Sequence, residues 1–76
     1  MPTIHRFRNV VIRMYASEHL PPHFHILGPD GAAVVEIAGL AVIARSGRID
    51  IREALRWAEA NGAVLREHWD RLNPEE

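Results

Sequence analysis

His23-Phe24-His25-Ile26-Leu27-Gly28-Pro29-Asp30-Gly31-Ala32-Ala33-Val34-Val35-Glu36-Ile37 is the stretch that decides the fold. Its first half alternates: Phe24 and Ile26 share one face of a strand, and His23 and His25 share the other. Gly28-Pro29-Asp30-Gly31 is turn chemistry, so the strand is expected to form a hairpin with 32–37. In the second arm Ala33, Val35 and Ile37 take the core side, because Glu36 on the opposite set should see water.

Upstream, Asn9-Val10-Val11-Ile12-Arg13-Met14-Tyr15 is a further strand, with Val10, Ile12 and Met14 inward and Val11, Arg13 and Tyr15 outward. The segment before it, anchored by Ile4 and Phe7, is expected to add an edge strand near the helix. Downstream, Gly39 leads into the apolar Leu40-Ala41-Val42-Ile43-Ala44, ended by Arg45-Ser46-Gly47-Arg48. Local connections between short strands predict an antiparallel meander rather than βαβ units.

The strongest periodic signal follows. Ile51, Leu55, Ala58, Gly62, Leu65, Trp69 and Leu72 recur at intervals of four and three, the stripe of one helix over 50–72. Asp50 takes the N-cap or first-turn position, with Glu53 as capping-box partner. Asn61-Gly62 favours a break, yet the apolar register passes through Gly62 unshifted. The reading adopted is a continuous helix, with Gly62 permitting close approach to the sheet. At about 34 Å it would overshoot a body of about 11–12 Å radius of gyration and meet another subunit. Asn73-Pro74-Glu75-Glu76 is read as a stop and a frayed tail. The expected fold is α+β: a small antiparallel sheet of three to five strands packed against a long C-terminal helix. It forms one domain over 1–76, β-rich over 1–48.

Seventy-six residues with 47% hydrophobic and 25% charged side chains describe one small globular domain with a thin stability margin. No cysteine is present, which excludes disulfides, thiolate metal sites and thiol nucleophiles. No apolar run is long enough to span a membrane, and no signal-peptide core opens the chain, so the expected location is the cytoplasm. The formal net charge of -1 argues against bulk nucleic-acid binding. The charge is unevenly placed, however, at +2 over 1–48 and -3 over 49–76. Arg6, Arg8, Arg13 and four of the five histidines fall in the first 26 residues, where any anionic partner would be met.

Chemistry concentrates in His19, His23 and His25, flanked by Glu18 and stiffened by Pro21-Pro22. Neutral imidazoles are common zinc ligands, so His19, His23 and His25 are candidate ligands for zinc or another divalent metal. Glu18, His5 or His68 would supply a further donor. A second reading makes His23 or His25 a general base beside Arg13 and Tyr15, in metal-independent RNA cleavage. A third makes Pro-Pro-His-Phe-His a structural clamp, with imidazoles donating to carbonyls and acids. Trp69 lies on the stripe and is read as core. Trp57 lies off it beside Val64, and Trp57, Val64 and His68 are the candidate partner-binding residues, with burial of Trp57 under the N-terminal segment as the alternative.

Tyr15, His19 and Pro21-Pro22-His23-Phe24-His25, with Met1-Pro2-Thr3-Ile4, Ile12-Arg13-Met14-Tyr15, the 32–37 strand and a helix carrying Leu65 and Trp69, resemble the bacterial domain of unknown function 4160 family. The residues marked by that resemblance are Tyr15, His19, Pro22, His23, Phe24, His25, Trp57 and Trp69. Family members usually carry a charged residue near position 62, where this chain has Gly62. The resemblance implies no established activity, and places the chain in a toxin–antitoxin-like gene pair beside another small protein. The leading expectation is therefore a small regulatory or partner-binding protein acting through its histidine/arginine sheet face or its Trp57 side, as a homodimer or with a protein partner, with RNA also open. The alternatives are the endoribonuclease-like toxin and the divalent-metal-binding protein.

Overall fold

The computed structural model describes residues 3–74. Its elements run β1 (Thr3–Arg6), β2 (Val11–Arg13), β3 (His23–Leu27), β4 (Gly31–Glu36), β5 (Val42–Gly47), α1 (Arg52–Ala60) and α2 (Gly62–Leu72). The strands form one sheet in sequence order, each antiparallel to the next. The α+β class and the meander are as the sequence predicts, with the N-terminal segment as the fifth, edge strand.

Alternation sets the core. Ile12, Phe24, Ile26, Ala33 and Val35 are buried on the sheet face that the helices cover, together with Val10 and Met14. The stripe closes over them through Ile51, Ala54, Ala58, Leu65 and Trp69. Trp69 is the largest fully buried side chain, so its truncation would cost about 3–5 kcal/mol. β5 departs from expectation: all six of its residues are exposed, Val42 and Ile43 included. A register shift opposite Val34/Val35 and the charge of Arg45 blunt this edge against further pairing. At its far end Gly31 opposes Gly47. Gly47 sits at φ +67, and a Cβ there would run into the Asp30 carbonyl, so the close of the hairpin requires glycine.

The continuous helix over 50–72 is not what forms. α1 and α2 are separated by Asn61, at φ -125 and ψ 31. Its N–H turns to the Ala58 carbonyl at 3.1 Å, three residues back. The Trp57 carbonyl, which would have accepted that N–H in a helix, accepts the Asn61 side-chain Nδ2 at 2.8 Å instead. Only one residue leaves the helix, so the stripe keeps its phase across the break. Close approach to the sheet falls to Ala54 and Ala58, whereas a Cβ on Gly62 would meet nothing within 4 Å. The expected capping box is also replaced. Asp50 Oδ1 accepts the Arg52 backbone N–H at 3.1 Å and Nε at 3.0 Å, and Oδ2 accepts Nη2 at 2.7 Å; Glu53 takes no part in these bonds.

Candidate functional site

The positions of β2 and β3 that alternate with the core residues carry the polar groups. Arg13 on β2 lies directly opposite His25 on β3, and His25 lies opposite Val34 on β4. The Tyr15 ring meets the His25 ring edge-on at 4.7 Å. His23 sits two residues before His25 on the same strand, its ring 5.3 Å from that of His25 and 5.1 Å from Trp69. Period two accounts for the histidine pair, and the β2–β3 register accounts for Arg13. Alternation alone predicts an outward His23; it is instead 8% exposed, because Trp69 packs against it.

Glu18 completes the group. Its Oε1 lies 2.7 Å from His25 Nε2 and 3.3 Å from His23 Nε2. These three ligand atoms all fall within 4.8 Å of one another. His19 does not join them: its side chain is exposed, and the donor that converges with His23 and His25 is its neighbour Glu18. His5 lies elsewhere, stacked on Trp57 at 4.7 Å, and His68 is a half-buried residue of α2.

The backbone explains how the loop presents Glu18. Pro21 and Pro22 lack N–H donors but retain acceptors. The Pro22 carbonyl takes the Ile37 N–H at 3.0 Å, tying the loop to the end of β4. The Pro21 carbonyl takes His23 Nδ1 at 2.7 Å. On the other side Asn73 Oδ1 accepts the Glu18 N–H at 3.1 Å, while Asn73 Nδ2 points to the Tyr15 and Trp69 carbonyls at 3.5 and 3.3 Å. Asn73 is therefore no frayed tail. It is 7% exposed and pins the site loop from 55 residues away. Its signal in the sequence was only an asparagine before a proline at a helix end.

The hydrogen bond to Pro21 fixes the chemistry of His23. A carbonyl only accepts, so Nδ1 carries the proton, and in the neutral ring Nε2 presents a lone pair towards the Glu18 carboxylate. Two acceptors then face one another at 3.3 Å, a pairing that a bound cation would relieve. The Glu18 carboxyl is held below its ordinary value: burial alone would raise it, but the hydrogen bonds with His25 and His23 and their charge outweigh that. Arg13 is half-buried, and its Nε is buried with no hydrogen-bond partner among the described residues.

The other predicted residues lie apart from this group. Trp57 is half-buried, covered by the His5 ring and met edge-on by Phe7 at 6.4 Å, so the N-terminal segment covers it. Val64 is 38% exposed, one helical turn before His68 on α2.

A family model described as Domain of unknown function (DUF4160) matches residues 9–70, which include every member of the cluster. Neither the curated proteins nor the solved structures include a match to this chain. Among the described residues no helix is long and apolar enough to cross a membrane.

Proposed function

The chain belongs to the DUF4160 family, for which no activity is established, and from the geometry of its site we propose that it binds a divalent metal ion of the zinc class through Glu18, His23 and His25. The observation that carries this reading is the His23 ring, whose Nδ1–H is committed to Pro21 while Nε2 faces the carboxylate. Such an arrangement, with one nitrogen held by a backbone carbonyl and the other turned towards a second donor group, is how proteins orient metal-binding imidazoles. Spacing agrees. Tetrahedral ligands with bonds of about 2.0–2.1 Å stand roughly 3.3–3.4 Å apart. The His23–Glu18 separation is already 3.3 Å, and the 2.7 Å His25–Glu18 contact would open slightly on binding. Two histidines and one carboxylate leave a coordination position for water or substrate. Arg13, opposite His25, supplies positive charge beside it for an anionic group.

Calorimetric titration of zinc into metal-free protein tests the reading. One ion per chain is expected, weakened at least tenfold by Glu18→Gln and lost in His23→Ala/His25→Ala, with His19→Ala unchanged. Binding weaker than about 100 μM, or equal binding by the double variant, would contradict it.

A second reading rests on the Arg13–His25 register and the short Glu18–His25 hydrogen bond. In it Glu18 orients His25 as a general base for RNA cleavage, with Arg13 and Tyr15 beside the phosphate and His23 as the reserve base. It requires RNA cleavage that persists in EDTA and disappears in Arg13→Ala and His25→Ala. A regulatory or partner-binding role, as a homodimer or within a gene pair, retains Val64 and His68 on α2 but draws no support from Trp57, whose face is covered.

A further inference from the structure

Away from the histidine cluster, an open cleft of about 620 Å³ lies between β1, the turn after it, and α1. Its floor is aromatic. The His5 ring lies flat on Trp57, with centroids 4.7 Å apart and planes at 15°, and Phe7 meets His5 edge-on at 4.9 Å. His5 itself is exposed. Its walls are cationic: Arg6, Arg8 and Arg56 line the cleft, all three are exposed, and none forms an ion pair among the described residues. Three of the six arginines outside the cleft are paired with acids. Arg52 is held by Asp50 at 2.7 Å, Arg66 by Asp70 at 3.2 Å and Arg71 by Glu67 at 3.7 Å. Among the described residues of the cleft Glu53 is the only acid.

The geometry points to this cleft as a binding site for single-stranded nucleic acid, with a base stacked on the His5–Trp57 pair and flanking phosphates held by Arg6, Arg8 and Arg56. An aromatic platform ringed by unpaired guanidinium groups suits that ligand, because each base offers a flat face and each phosphate a bidentate acceptor. Duplex would present no free base face. The neighbouring cleft of about 600 Å³, lined by Asp30, Arg48, Asp50 and Arg52, lacks both properties, since its charges oppose one another and it holds no aromatic residue. Three cations outweigh one acid locally, which reconciles the site with a chain whose net charge is -1. The proposal is independent of the metal site, and residues 5–8, four of the nine that line the cleft, lie outside the family match.

Fluorescence anisotropy of a labelled oligouridine of about ten nucleotides, in EDTA, tests it. Binding is expected at low salt. Exchanging His5→Ala should weaken it about tenfold through lost stacking. Removing two phosphate contacts in Arg8→Ala/Arg56→Ala should lower the slope of log K against log salt by about 1.4. Arg71→Ala, an exposed arginine on α2, should change nothing. Absence of binding at low salt up to about 100 μM protein would overturn the proposal. So would equal binding by His5→Ala, or a loss in Arg71→Ala as large as in the cleft variants.

Discussion

Asn73 Oδ1 accepts the backbone N–H of Glu18 at 3.1 Å, linking the end of α2 to the loop that presents the carboxylate to His23 and His25. The same amide reaches the Tyr15 carbonyl, so one buried side chain fixes both flanks of the loop's first turn. The sheet supplies the two imidazoles, but the last residue of the helical layer sets where Glu18 stands.

Replacing Asn73 by alanine should therefore act twice. It leaves the half-buried Glu18 N–H and Tyr15 carbonyl without this partner, at a cost of about 1 kcal/mol, and thermal unfolding should shift down by about 4–8 °C. It should also weaken zinc about tenfold, because a loosened second partner misplaces the ligand. Titration at a temperature where the variant is fully folded separates the two effects.

Gly62→Ala should stabilise the fold by about 0.5–1 kcal/mol in denaturant unfolding. The added Cβ meets nothing within 4 Å, and alanine loses less backbone freedom than glycine on entering α2.

Asp50 offers a pH test. Its hydrogen bonds to the Arg52 side chain and backbone hold its carboxyl well below the ordinary range. A carboxylate lowered in the folded state stabilises above its unfolded pKa of about 3.9, and that contribution fades as pH falls through the folded value. The melting temperature of the parent should thus exceed that of Asp50→Asn at pH 5, and the gap should shrink progressively from pH 4 downward. The gap will be small, as both partners are solvent-exposed. A gap that widens on acidification would contradict the pairing.

What was legible in the sequence was whatever local periodicity controls. Alternation placed Phe24, Ile26, Ala33 and Val35 in the core, and the four-three stripe placed Leu65 and Trp69 over them. The break at Asn61 escaped that logic because one residue leaving the helix, with its side chain replacing its own N–H on the Trp57 carbonyl, does not disturb the phase. Period two also paired His23 with His25, but it says nothing about a loop. The choice between His19 and Glu18 depends on Asn73, far away in the chain, and on the carbonyls of Pro21 and Pro22. Trp57 stands off the stripe, and the N-terminal segment that covers it carries only two apolar anchors, Ile4 and Phe7, a weak signal in sequence.

The most direct test of the metal reading is imidazole nitrogen NMR of the labelled protein with and without zinc. His23 should keep its protonated Nδ1, His25 should give up the Nε2 proton that it donates to Glu18, and both Nε2 resonances should move to metal-bound positions at one equivalent, while His5, His19 and His68 stay where they were. Nε2 resonances of His23 and His25 that remain unchanged at saturating zinc, or movement of His19 in their place, would contradict the account.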